Sequence, residues 1–442
     1  MEIILIKAAQ LVLSLSLLVI IHEFGHFMFA RLFKTRVEKF YLFFDPWFSL
    51  FKVKKGDTEY GVGWLPLGGY VKISGMIDES MDKEAMKLPA QPYEFRAKKT
   101  WQRLLIMVGG VVMNFILAFI IYIGILYAWG ESYLPTANVK YGIEVDSVGM
   151  KIGLQNGDKI LSVDNLPVEN FRKIIPTVIL DKAQAIQVER GGQKIDVEIS
   201  DDDLALLIKS KGVLSYRIPF DYKIVKFAKE SPAKESGLKV GDQILGVDSL
   251  KYEYNDQFRT MLRESVGKKI NLSVLRDNQK LVISMIVPET GALGIQLEQD
   301  LTKIFELKTI EYSLIESIPA GIDRGLSTIS DYLKQFKLIF SPKTKAYESL
   351  GGFIAIGNIF PGAWNWFDFW NMTAFLSIIL GVMNLLPIPA LDGGHVMFLL
   401  FEMITGRKPG DKFLEYAQIA GMILLLSLVL FANGNDIFKL FK

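Results

Sequence analysis

Leu11-Val-Leu-Ser-Leu-Ser-Leu-Leu-Val-Ile-Ile-His-Glu-Phe-Gly-His-Phe-Met-Phe-Ala30 decides the class of this fold. It lies inside an apolar stretch from about Ile3 to Leu32, and about 20 residues of helix suffice to cross a bilayer. The same stretch carries His22, Glu23 and His26. A charged side chain at the centre of a spanning helix costs roughly 2.5–3.5 kcal/mol on insertion scales, so a polar cluster without a use would be disfavoured there. The stretch has neither the basic start nor the small-residue cleavage site of a signal peptide and reads as a retained helix.

Three more stretches are long and apolar enough to span: about Leu104 to Trp129, Phe367 to at least Leu386, and Phe413 to Phe431. Half of the 442 residues are hydrophobic and the mean hydropathy is positive, as expected of a polytopic α-helical membrane protein. Lys and Arg near the helix ends set the orientation. Arg31, Lys34, Arg36, Lys39, Lys98, Lys99 and Arg103 flank the first two spans, and Arg407, Lys408 and Lys412 lie between the last two. Both groups are expected to be cytoplasmic, which puts residues 130–366 outside. The net charge of +2 gives no basic surface for nucleic acid. Cysteine is absent, which excludes disulfides, thiol catalysis and cysteine-based metal sites. Any metal must then be held by His, Asp or Glu, and the only histidines are His22, His26 and His395.

Residues four apart on a helix share a face, so His22 and His26 can reach one ion. Glu23 beside them is placed to take a proton from water at that ion. Zinc lowers the pKa of water it binds to about 7. A hydrolytic zinc site has three protein ligands and one open position. The third is sought in Asn384-Leu-Leu-Pro-Ile-Pro-Ala-Leu-Asp-Gly-Gly-His395, where Asp392 is an acid in an apolar run. Pro387, Pro389, Gly393 and Gly394 break the helix around it, which membranes tolerate where backbone faces protein or a wet cavity. Read alone, Asp392 would cap the next helix; read beside the histidines, it is the missing ligand. His395 is assigned a supporting role.

Between the second and third spans, Gly153-Leu-Gln-Asn-Gly-Asp-Lys-Ile-Leu161 returns 84 residues later as Gly237-Leu-Lys-Val-Gly-Asp-Gln-Ile-Leu245. Alternating segments follow each copy, at Ala185-Ile-Gln-Val-Glu and Ile270-Asn-Leu-Ser-Val-Leu, and predict strands. Two tandem, mainly β domains are expected. They resemble PDZ domains, which bind peptide ends by strand addition; the alternative is a pair of spacers that block access and bind nothing.

The His-Glu-x-x-His on the first helix and Asn-x-x-Pro-x-Pro-x-Leu-Asp-Gly on a later one resemble the site-2 protease family of intramembrane zinc metalloproteases. The PDZ-like pair makes the chain similar to the regulator of sigma-E protease branch. The resemblance implies His22, His26 and Asp392 as ligands of one Zn2+, Glu23 as base, and Asn384 as a residue holding the substrate strand. Tyr60-Gly-Val-Gly-Trp-Leu-Pro-Leu-Gly-Gly-Tyr-Val-Lys-Ile-Ser-Gly75, after a Lys-Gly-Asp turn at 55–57, reads as a β-hairpin. In the family such a segment dips into the membrane and pairs with unwound substrate, which implies contacts from Gly68, Gly69 and Tyr70. Ser349-Leu-Gly-Gly-Phe353 stands where the family carries Leu-Ser-Gly-Pro and lacks the proline. Gly109, Gly110 and Asn114 on the second helix read as a close-packing face.

The expected layout is a transmembrane helix over 1–33, a cytoplasmic segment with a membrane-associated β-hairpin over 34–100, and a second helix over 101–129. PDZ-like domains over 130–214 and 215–300 follow, then an amphipathic linker over 301–366 with Ile315, Ile318 and Ile322 at helical spacing. A broken third helix over 367–404 and a fourth over 413–433 complete it. The expected activity is an endoprotease of the bacterial inner membrane, its site toward the cytoplasmic half. By resemblance its substrates are transmembrane segments of anti-sigma factors and remnant signal peptides. Membrane lipids and peptide C-termini at the PDZ-like pair are the other expected partners. The alternative is a non-catalytic membrane adaptor binding peptide ends.

Overall fold

The computed structural model describes residues 2–66, 68–76, 89–210, 212–220, 223–229, 231–297, 301–339, 341, 344 and 351–440. Ser349 and Leu350, in the stretch that lacks the family proline, lie outside the described residues. The chain forms two units, one of Met1–Glu131, Glu311–Phe336 and Tyr347–Lys442, the other of Ser132–Ile310 and Lys337–Ala346.

The first unit combines helices with one β-sheet. Its longer helices are α1 (Glu2–Leu32), α2 (Thr100–Trp129), α3 (Leu314–Ile339), α4 (Trp366–Asn384), α5 (Asp392–Thr405) and α6 (Asp411–Leu440). Among the described residues α1, α2, α4 and α6 are long and apolar enough to cross a membrane. α1 meets α2 at Gly25, where a Cβ would strike the carbonyl of Gly109; only small residues let two backbones come this close. On its other side α2 packs Ala118, Ile121, Tyr122 and Ile125 against Ala374, Ile378 and Val382 of α4. Buried hydroxyls bridge the helices, Thr373 Oγ1 to Ser14 Oγ at 3.0 Å and Ser377 Oγ to the Asn114 carbonyl at 2.7 Å, since an unpaired polar atom has no water to turn to in a bilayer.

α3 carries the amphipathic pattern, with Ile315, Ile318 and Ile322 all exposed. Its Gly321 and Gly325 lie against Ile123 and Phe119 of α2, and Arg324 reaches Asn371 Oδ1 at 2.8 Å. α4 ends at Asn384, where Pro387 and Pro389 deny the helix its donors. The chain doubles back, so that a Cβ on Gly394 would lie 2.6 Å from Pro389 Cα, and α5 starts at Asp392. A carboxylate at a helix N-terminus is favoured by the helix dipole. Asp436 of α6 is buried and accepts the amides of Gly352 and Ala355, each at 2.9 Å.

A four-stranded sheet follows α1: β1 (Val37–Leu42), β2 (Phe44–Lys55), β3 (Thr58–Leu65) and β4 (Tyr70–Ile73). The strand order β2-β3-β1-β4 corrects the hairpin expected over Tyr60–Gly75. β3 and β4 do not pair. β1 lies between them, parallel to β3 and antiparallel to β4. The hairpin is β2–β3, around the Lys-Gly-Asp turn, with Lys55 opposite Thr58. Pro66, Gly68 and Gly69 belong to a crossover spanning two strand spacings, about 9.5 Å, and a two-residue hairpin turn would not reach that far.

In the second unit each repeat copy leads into a three-stranded antiparallel sheet: β5 (Lys159–Val163), β6 (Ala185–Arg190) and β7 (Gln193–Glu198), then β8 (Gln243–Val247), β9 (Lys269–Arg276) and β10 (Gln279–Ile286). Each sheet has its own apolar core. The repeated Gly-Asp turn has the same use twice. Asp158 and Asp242 are buried, and Arg190 and Arg276 grip them in two-pronged ion pairs of 2.7 Å while also donating to the carbonyls of Gly153 and Gly237. Arg217 and Asn156 donate to Asp256, and Arg259 pairs with Glu144, linking the copies.

Candidate metal centre

His22 and His26 stand one turn apart on α1, each 7% exposed. The Nδ1 of His26 is 2.8 Å from the Ile106 carbonyl. A carbonyl only accepts, so Nδ1 carries the proton and the Nε2 lone pair is free. The Nδ1 of His22 is 3.0 Å from the side-chain amide of Asn114, fully buried on α2. The nearer amide atom is Nδ2; the contact holds the His22 ring from its Nδ1 side and leaves Nε2 turned inward, the usual outer support of a metal-binding imidazole. Gly110 leaves the room, for a Cβ there would lie 2.5 Å from His26 Nε2 and 2.7 Å from His22 Cε1. The sequence reading took Gly110 and Asn114 as packing; their spacing, four apart with an amide in an apolar span, was the available signal.

Asp392 arrives from the start of α5. Its Oδ2 is 3.1 Å from His22 Nε2 and 3.3 Å from His26 Nε2, and the two nitrogens are 3.3 Å apart. These three residues form the one group among those described that could hold a metal ion. A tetrahedral zinc ion with bonds of about 2.0–2.1 Å holds its ligands about 3.3 Å apart. Oδ2 is enclosed without a well-aligned hydrogen-bond donor. Two lone pairs and a carboxylate oxygen crowded in this way call for a cation, and the donor set suits zinc.

The three residues and Glu23 line one cavity of about 850 Å³, together with Gly69, Tyr70 and His395. Gly69 sits against α1, where a Cβ would be 2.6 Å from Val19 Cγ1 and 3.5 Å from Glu23 Cγ. Tyr70 donates to Asp45 Oδ1 at 2.9 Å; burial first, and then this carboxylate, hold its hydroxyl well above the usual phenol value. Asn384, the last residue of α4, brings its amide nitrogen to 3.3 Å from His22 Nε2 but is not among the residues lining the cavity. Gly68 stands apart from the cavity lining, against the ring of Phe44.

Comparison with known proteins agrees with this chemistry. The family model described as peptidase family M50 matches residues 10–428. The Haemophilus influenzae protein named regulator of sigma E protease is 26% identical, over 97% of this chain and 98% of its own length. The Yersinia pestis protein named protease RseP is 26% identical over 99% of each. A Neisseria meningitidis protein named as a candidate zinc metalloprotease is 28% identical over 97% of this chain and 98% of its own.

Proposed function

This chain belongs to peptidase family M50, the site-2 proteases, with zinc as cofactor, and on that premise we propose that it cuts peptide bonds inside transmembrane segments. The observation that carries the reading is the convergence of His22, His26 and Asp392 on one point in helices fit to span a bilayer. His22 and His26 would hold the ion through their Nε2 atoms and Asp392 through Oδ2. The ion, when bound, supplies Lewis-acid activation of water and of the scissile carbonyl. Glu23 accepts the water proton and passes it to the leaving amine. Asn114 and the Ile106 carbonyl keep both imidazoles oriented.

Asn384, at the end of α4 beside His22, holds the substrate backbone. A transmembrane helix shields its own peptide bonds, so the substrate must be extended where it is cut. The edge of β4, with Gly69 and Tyr70, is the template for that strand. Gly68 contributes by shaping the crossover, not by contact. The two sheet-bearing copies of the second unit are PDZ-like; they lie on the outer side of the bacterial inner membrane and screen what enters. The site lies toward the cytoplasmic half. By the resemblance to the regulator of sigma-E protease branch, its substrates are membrane-bound anti-sigma factors, with remnant signal peptides as a second class. An adaptor without catalysis leaves the converging His22, His26 and Asp392 and the neighbouring Glu23 without a use.

The test uses the purified full chain and a membrane-anchored model substrate, with products located by mass spectrometry. Cleavage inside the apolar segment that chelation stops and zinc restores is expected. Cleavage confined to soluble flanks, or indifferent to chelation, would contradict the proposal.

A further inference from the structure

Lys39 and Lys72 stand directly opposite each other across the β1–β4 pair, and both line the cavity that holds Glu23 and the metal-binding group. Directly opposed residues share a face of the sheet, and like charges there repel. Lys72 is engaged by an acid, with Glu38 Oε2 3.5 Å from its Nζ. Lys39 forms no ion pair among the described residues. Its half-buried ammonium lies over the rings of Tyr41 and Tyr70, at 5.5 and 6.0 Å from their centroids. Asp45, which also lines the cavity, is engaged by Tyr70 and Ser49. A cation held by two aromatic faces, opposite a second cation, leaves a positive wall that an anion would complete.

Resting on the proteolytic reading, we propose that Lys39, backed by Lys72, is a carboxylate subsite that selects substrates with an Asp or Glu side chain near the cut bond. The ligand of this cavity is a polypeptide, and its side-chain anions are carboxylates. An extended chain advances about 3.3 Å per residue, so a cavity of about 850 Å³ admits only a short run around the scissile bond. A basic residue at the same position would be turned away.

The test uses the zinc-loaded full chain in a neutral detergent. Substrates carry Asp, Asn or Lys in turn at each of the four positions on either side of the cut, and kcat/KM is measured. At one or more positions the parent is expected to favour Asp over Asn at least fivefold. Lys39→Glu reverses the order in favour of Lys, Lys39→Met flattens it, and bound zinc stays stoichiometric in both. A purely structural lysine would scale all substrates by one factor, and unchanged Asp:Asn:Lys ratios in Lys39→Glu would overturn the subsite while leaving proteolysis intact. A parent that cuts none of the set would overturn both. Stimulation of the parent but not of Lys39→Glu by phosphatidylglycerol, without Asp over Asn discrimination, would give the cation to a lipid phosphate and overturn the proposal.

Discussion

Replacing Gly110 by alanine adds one carbon at the most confined point of the site. That carbon would lie 2.5 Å from His26 Nε2 and 2.7 Å from His22 Cε1, where non-bonded atoms settle at about 3.5 Å. The overlap is about 1 Å on both imidazoles at once. α2 has little freedom to retreat, because its other face is packed on α4 and Arg103 near its start is buried in an ion pair with Glu402 of α5. The rings must therefore move, and metal–ligand distances tolerate only about 0.2 Å. Disturbing the outer support of a ligand typically weakens metal binding by 10–100-fold. Moving two ligands together should reach at least the upper end, about 2.8 kcal/mol at 1.4 kcal/mol per decade. Zinc retained against a graded chelator series reads this directly. Gly124→Ala is the control on the same helix, since a Cβ there meets nothing within 4 Å; it should be neutral or gain up to about 1 kcal/mol. Zinc affinity of Gly110→Ala within threefold of the parent, with normal cleavage, would refute the reasoning.

Other expectations follow from the same contacts. Asn114→Ala should weaken zinc 10–100-fold by chelator competition while leaving the helical content unchanged by circular dichroism. Arg276→Ala leaves Asp242 without its partner and should destabilise its sheet, read as faster hydrogen exchange over β8–β10. Burial alone would raise the Asp242 carboxyl, but Arg276 and the Lys239 amide hold it below the usual value. This stabilisation is therefore present above the unfolded pKa of about 3.9 and is lost as pH falls through the folded value; Arg276→Ala should flatten that acid dependence. Asp436→Ala removes two charge-assisted hydrogen bonds and should loosen the C-terminal end of α6 by about 1.5–3 kcal/mol per bond, seen as faster exchange at Gly352 and Ala355.

The spanning helices and the His-Glu-x-x-His motif were legible because both are local patterns: a run of apolar residues, and ligands one helical turn apart. Asp392 was found by elimination, since a third ligand was required and an acid interrupted an apolar run. What the sequence concealed depends on contacts between distant segments. Asn114 becomes a positioning residue only once Gly25 and Gly109 bring α1 and α2 together. The strand order of the sheet was misread because Tyr60–Gly75 has the alternation and glycines of a hairpin, and nothing local reveals that β1 inserts between β3 and β4. Arg190 and Arg276 lie 32 and 34 residues from the aspartates that they hold, too far for the repeat itself to announce them. Lys39 was read as a topology signal; its place in the cavity wall follows from pairing with β4.

The central claim is that Glu23 moves the proton at a zinc held by His22, His26 and Asp392. The most direct measurement is cleavage of a membrane-anchored substrate by the parent and by Glu23→Gln, with bound zinc determined on the same samples. One zinc per chain in both proteins and a loss of cleavage of at least 100-fold in Glu23→Gln, within the 10²–10⁴ range of general acid–base catalysis, is the predicted result. Equal cleavage by the two proteins, or a parent that cuts without stoichiometric metal, would contradict it.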